Sequence, residues 1–423
     1  PDTTSMSVLS LAGGILPKRL CTPTGRTPLL PGLTAGRRST HTSEAIMART
    51  GAHRQSWRID KAGKVSDLKL RSDEELAPPS AGEVRIAVKA VGLNFADVFS
   101  CLGLYSATPP GSFVPGLEFS GEVVAVGQGV PEKVSVYGME LGPEAAAAAG
   151  EAAAKLRVGD RVMGVTRFGS YTTEAMIPAH LVRTIPDGWS YGQGAAALVQ
   201  GLTAFYGLKS LGNIRRGDTV LVQSAAGGCG MYALRICEAL GATPVAVIGS
   251  PAKAKLLLDT FKTLSPERII VRNTKTWDAD LAAALESCGA QGYDIVLDAV
   301  SGDYFKGAYN ALSRGGRYVI YGAADMTPSG DRVNWLKLAW KYLWRPRLDP
   351  LDMMGENKSL LAFNLVWMFD KVELLGELLN ELLALNLTPP HVGAAFPFEE
   401  AQEAIRTFQS GSTTGKVVLE VRD

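Results

Sequence analysis

The 423-residue chain has only five cysteines, at positions 21, 101, 229, 237 and 288, and no Cys-x-x-Cys pair. Its four histidines, at 41, 53, 180 and 391, do not cluster with them. That pattern argues against a disulfide framework and against a structural zinc site, and fits free thiols in a reducing compartment. Charge of one sign is also missing: the formal net charge is +1, so nothing overall points to nucleic acid. No uninterrupted apolar run is long enough to cross a bilayer. The stretch poorest in charge, GWSYGQGAAALVQGLTAFYGL, is broken by Gly and Gln. What remains is 46% hydrophobic and 20% charged, ordinary for a globular enzyme. The length favours two domains or one large elaborated one.

The first fifty residues differ from the rest. Lys18, Arg19, Arg26, Arg37, Arg38 and Arg49 face only Asp2 and Glu44, and Ser and Thr are dense. This is the composition of an organellar transit peptide, mitochondrial or plastid. The alternatives are a disordered tail in a cytoplasmic protein, or upstream sequence preceding a start at Met47. Segment 1–55 is therefore set apart from the fold.

From Ser56 the pattern is β-rich. GEVRIAVKAVGLN alternates apolar and polar residues as a half-buried strand does. FSGEVVAVG, GDRVMGV and SYTTEAMIP follow at short spacing, which predicts a small barrel over 56–198. An Ala/Glu-rich insert, 131–157, is expected to form a short exposed helix or to stay irregular. Over 199–370 the texture changes to apolar strands alternating with helices: TVLVQS, PVAVIG, ERIIV, YDIVLDAV and GRYVIYG. That alternation predicts a parallel sheet covered on both faces. Segment 371–423 ends in GKVVLEV, a strand expected to return to the β-rich unit. The fold class is thus α/β, with a Rossmann dinucleotide-binding domain inserted in a β-rich domain.

The stretch TVLVQSAAGGCGMYALRICEALGA reads as strand, glycine turn and helix. Ala226, Gly227, Gly228 and Gly230 let backbone approach a pyrophosphate, whose charge suits the N–H groups and dipole at the helix start. An NAD site would place an acid about 20 residues on. PVAVIGSPAKAK offers instead Ser250 and Lys253, with Lys255 nearby, which favours the 2′-phosphate of NADP(H).

These segments resemble the zinc-independent quinone oxidoreductase branch of the medium-chain dehydrogenase/reductase superfamily, over nearly all of 56–423. VGLNFADVFSCLGLY is similar to that family's Asn-x-x-Asp segment ending in Gly-x-Tyr, and SAAGGCG to its AAGGVG, with Cys229 for Val. DIVLDAVSG, RGGRYVIYG and TTGKVVLEV continue the match. GLNFAD and the C-terminal NKSLLAFNL to FPFEEA resemble most the vesicle amine transport protein homologues. The resemblance implies a GroES-like β-rich domain, cofactor contacts from Thr203 and Gly322, and Leu117 where zinc relatives carry a ligand histidine. It implies no metal, and hydride transfer from NADPH to a quinone or an activated C=C. Tyr105 would then be the proton donor, and Asn94 would orient the substrate or the nicotinamide ribose. Many relatives carry a Tyr after the third strand of the sheet, where this chain has Asn273 beside Arg272. The expected partners are a small-molecule acceptor and a second copy of the chain. Segment 334–347, NWLKLAWKYLWRPR, is basic and Trp-rich, and reads either as a cleft wall or dimer contact, or as a membrane-surface helix of an NADPH-binding scaffold.

Overall fold

The computed structural model describes residues 54–422 apart from positions 74, 132, 133, 137, 138 and 329. All but the last two residues of the transit-like segment lie outside the described residues. Two large sheets organise the rest. The first contains β1 (Glu83–Gly92), β2 (Glu118–Val126), β3 (Arg161–Val165), β4 (Glu174–Pro178) and β5 (Val182–Thr184). The second contains β6 (Thr219–Val222), β7 (Thr243–Ile248), β8 (Ile269–Val271), β9 (Tyr293–Asp298), β10 (Leu312–Ile320) and β11 (Ser359–Ala362). The chain then returns through β12 (Val392–Pro397) and β13 (Lys416–Glu420) to the first sheet.

The order of the second sheet is β8-β7-β6-β9-β10-β11, and every pairing in it is parallel. It reverses direction between β6 and β9, the point at which doubly wound sheets open a crevice at the carboxyl ends of their strands. All four residues of β6 are buried, as they must be in a central strand covered on both faces. In the first sheet β1 alternates buried and half-buried residues along most of its length. It pairs antiparallel with β2, β4 and β13. The expected α/β class, with a dinucleotide sheet inserted in a β-rich domain, is the observed one. The Ala-rich insert holds a helix, Pro143–Lys155, which buries Ala145, Ala146 and Ala149 against Val372. It is a half-buried strut, because its alanine face finds an apolar surface to cover.

One buried polar network ties the segments around the crevice. Lys416, at the start of β13, is wholly buried and pairs with Glu118 of β2. Its ammonium also donates to Asn94 Oδ1 at 2.8 Å. The second Glu118 oxygen accepts the Val199 N–H at 3.0 Å. Removing one member of a buried ion pair leaves an uncompensated charge, which costs about 3–5 kcal/mol. Lys416→Met should therefore lower stability by about that amount, read by urea unfolding. A Glu118→Gln/Lys416→Met double variant should recover part of the loss, because no charge is then stranded.

Candidate active site

The glycine turn follows β6 directly. Ser224 takes φ 52°, the left-handed region that side chains usually avoid, and starts the bend. Helix α3 then runs from Gly228 to Leu240, with Gly227 as its cap. A side chain at Gly230 would lie 2.4 Å from the Ser224 carbonyl and 2.6 Å from the Ala225 Cα, so only glycine lets the helix sit so close to the strand end. At Gly228 the nearest atoms to an added side chain belong to the carboxamide of Gln200, at 2.0 Å. At Gly227 the one neighbour is the Ser224 carbonyl, 3.2 Å away, so this side of the turn has room for a ligand. Ala226 accepts the Gly415 N–H at 2.8 Å, which fastens the turn to the segment leading into β13.

The helix before the turn, α2 (Leu198–Phe205), carries Gln200 and Thr203. The Thr203 hydroxyl donates to the Val199 carbonyl at 2.6 Å and sits beside the Cys229 thiol. Burial pushes that thiol up to about 12, so Cys229 stays protonated and is no nucleophile.

At the ends of β7 and β8 stand Ser250, Lys253 and Arg272, with no acid where a ribose-binding carboxylate would be. Burial lowers the pKa of both Lys253 and Arg272, and the Arg272 charge lowers that of Lys253 further. Two half-buried cations that repel one another make an anion site. The Lys253 ammonium also donates to the carbonyls of Gly411 and Thr413, both at 2.7 Å. The Arg272 guanidinium lies over Gly249, with the Tyr304 ring 5.8 Å away. Of the two, Arg272 has the more hydrogen-bonding capacity left. It stood beside Asn273 in the sequence pattern, but nothing local marked it as the main anion contact. These residues fit a phosphorylated dinucleotide: a glycine cradle for the pyrophosphate and two cations for a further phosphate.

Tyr105 follows α1 (Phe95–Cys101), and its hydroxyl donates to Asn364 Oδ1 at 2.8 Å. Burial pushes its pKa up to about 12, partly offset by the Asn364 bond and the Arg167 charge. The phenol is therefore protonated at any working pH. Asn364 follows Phe363, whose ring packs on Tyr206 at 5.0 Å and Tyr321 at 6.4 Å. Tyr321 precedes Gly322 at the end of β10, so Tyr105 is connected to the carboxyl edge of the dinucleotide sheet. Gly322 lies close over Ala299, whose carbonyl would be 2.9 Å from any added side chain.

Asn94 is placed differently from Tyr105. Its Nδ2 donates to the Gly92 carbonyl at 3.2 Å and to Glu118 at 3.1 Å, and its oxygen accepts from Lys416. Its N–H donates to Asp97 at 2.8 Å. Burial pushes Asp97 up to about 7 despite that bond, so it holds its proton far above the usual carboxylate range. Asn94 is thus a member of the internal network, with its hydrogen bonds made inside the fold. Sequence reading also passed over Gln200, Asn364 and the Lys416–Glu118 pair.

The geometry agrees with comparison to known proteins. The alcohol dehydrogenase GroES-like domain matches residues 80–187, and a zinc-binding dehydrogenase family matches 268–419. The Homo sapiens synaptic vesicle membrane protein VAT-1 homolog is 30% identical over 361 residues, 84% of each chain. The chain belongs to the medium-chain dehydrogenase/reductase superfamily, and its matches are consistent with the zinc-independent branch. As a member of this superfamily it is an oxidoreductase. Among solved structures of the superfamily, mycobacterial Rv1454c complexed with NADPH is 27% identical, with TM-score 0.68, covering 87% of this chain and 99% of that one. The quinone oxidoreductase from Thermus thermophilus, solved also in complex with NADPH, is 28% identical with TM-score 0.63, covering 86% and 99%. Leu117, where the resemblance implies that zinc relatives carry a histidine, is buried.

The two inner glycines should respond differently to alanine. At Gly230 backbone must move, an overpacking cost of about 1–3 kcal/mol. At Gly228 the flexible Gln200 side chain can swing away. Thermal unfolding should show the larger loss for Gly230→Ala, whereas Gly228→Ala should mainly weaken dinucleotide binding.

Proposed function

We propose that this protein is an NADPH-dependent reductase that transfers hydride to a quinone or to the activated C=C of an α,β-unsaturated carbonyl, without a metal. The observation that carries the reading is Tyr105, a half-buried phenol whose hydroxyl is bonded to Asn364 beside the carboxyl edge of a dinucleotide sheet. The quinone oxidoreductase among the relatives supports it.

NADPH, when bound, supplies the hydride. Ala226, Gly227, Gly228 and Gly230 would hold its pyrophosphate, Arg272 and Lys253 its 2′-phosphate with Ser250 beside them, and Thr203 and Gly322 its nicotinamide half. The protein's own part is electrostatic. As the acceptor becomes an enolate or a quinol anion, negative charge gathers on its oxygen. Tyr105 can turn its hydroxyl from Asn364 to that oxygen, stabilise it and then release the proton to it. Asn364 holds the phenol in place before the acceptor arrives. Asn94 acts indirectly, by fixing the start of α1 through Lys416 and Glu118.

Other features support lesser proposals. Strand β11 ends its sheet and leaves Leu360 exposed, which suits a homodimer formed along that edge. The basic N-terminal composition supports delivery to a mitochondrion or plastid. A second reading, a non-catalytic NADPH-binding scaffold at a membrane surface, draws on helix α4 (Trp335–Leu343), where Trp335, Trp340 and the following Trp344 are exposed beside Lys337 and Lys341. Among the described residues no helix is long and apolar enough to cross a membrane. Turnover of NADPH with quinones or enones separates the two readings, because a scaffold that only sediments with anionic liposomes would show none.

Tyr105→Phe keeps the ring and removes the donor. It should lower kcat by about 10²–10³ with little change in NADPH affinity; near-normal kcat would make Tyr105 only a wall of the cleft. A separate measurement concerns cofactor choice. Arg272→Ala and Lys253→Ala should each weaken NADPH and spare NADH, with the larger effect at Arg272. Equal affinity of the unmodified protein for both cofactors would remove the basis for an NADP site.

A further inference from the structure

Beside Tyr105 the fold leaves a concavity of about 430 Å³ that no step of the proposed reaction uses. Its walls come from three elements. Helix α1 and the turn after it give Phe99 and Leu104, the turn after β10 gives Ala323 and Met326, and α4 gives Trp335, Leu338, Ala339 and Tyr342. The exposed lining is almost wholly apolar. Two of these residues are direct chain neighbours of the site: Leu104 precedes Tyr105, and Ala323 follows Gly322. The groove therefore lies next to the segments that carry Tyr105 and Gly322. The helix that walls it is pinned, because the Lys341 ammonium donates to the Asp325 carboxylate at 2.7 Å and also to the Asp325 carbonyl. That one side chain ties α4 to the turn.

We propose that this groove binds a long aliphatic tail carried by the substrate, so that the preferred acceptor is a quinone or enone bearing an alkyl or isoprenoid chain of about ten carbons. The proposal rests on the reductase reading of the same site and names its substrate class. The size decides among occupants. Taking roughly the 30 Å³ of a water molecule for each methylene, the volume holds on the order of a dozen carbons. Three turns of a partner helix, about 10 Å across, would displace on the order of 1,000 Å³ and do not fit. The lining offers no charge to grip a polar ligand, and each methylene taken out of water improves binding about three- to fourfold when fully buried. The groove is open along one side, so the gain per carbon is smaller than that.

The test uses the full chain and acceptors that share one head group, 2,3-dimethoxy-5-methyl-1,4-benzoquinone, carrying no tail, a pentyl tail or a decyl tail. The ratio of kcat/KM for the decyl to the tailless quinone should be at least tenfold in the unmodified protein. It should fall towards one in Ala339→Phe, which fills the groove, and in Leu338→Asp, which charges it. Both changes lie on an exposed helix and leave the cores intact. A readout free of turnover uses Trp335 as reporter. 12-Bromododecan-1-ol should quench tryptophan fluorescence saturably in the unmodified protein, and both variants should abolish that saturation. Equal kcat/KM for all tails without saturable quenching would overturn the groove. A ratio that persists in both variants would overturn its placement. Saturable quenching without NADPH turnover on any of these quinones or on the matching tailed enones would leave the tail site standing and refute the reductase reading instead.

Discussion

A single buried ammonium, that of Lys416, holds the candidate site together. It is completely inaccessible and meets Glu118 and Asn94, and through Glu118 it reaches the N–H of Val199. Those partners belong to the last strand, the second strand of the β-rich sheet, the cap of α1 and the first turns of α2. A charge in such a place is stable only if fully paired and hydrogen-bonded, so the four segments have one permitted arrangement. Helix α1 leads to Tyr105, α2 carries Gln200 and Thr203, and the residue before Lys416 bonds the glycine turn. The phenol, the cofactor cradle and the returning strand are therefore positioned from one point.

Around that point polar and apolar demands are separated in space. The carboxyl ends of β6, β7 and β8 gather the glycine turn and two cations, a place for phosphate. The carboxyl ends of β10 and β11 meet the segment after α1 through the Tyr105–Asn364 bond, beside the Tyr321 and Phe363 rings. Beyond it α4 covers the apolar groove with Leu338, Ala339 and Tyr342 and turns Leu336, Leu343 and Trp344 to solvent. A helix that is apolar on both sides has two surfaces to satisfy, and the groove accounts for only the inner one. Its basic residues and exposed indoles leave the outer face suited to a membrane surface or a second copy.

The class of fold and the location of the cofactor turn were legible in the sequence because their causes are local. Period-two alternation marks β1, apolar runs between helical stretches mark the parallel sheet, and the spacing of Gly227, Gly228 and Gly230 follows from sterics within a few residues. The missing acid after β7 was equally local. What the sequence by itself did not determine is which polar residues face the cleft. Asn94 and Tyr105 stand eleven positions apart in one motif, yet one enters the buried network around Lys416 and the other bonds Asn364. The deciding partners are remote: Lys416 lies 322 residues from Asn94, and Asn364 lies 259 from Tyr105. The nearness of Arg272 to Lys253 likewise depends on β7 and β8 being neighbours, and the groove on α4 folding back over α1. Only the tertiary structure brings such groups within hydrogen-bonding distance, because the desolvation that makes a buried charge or phenol choose its partners does not exist in the extended chain.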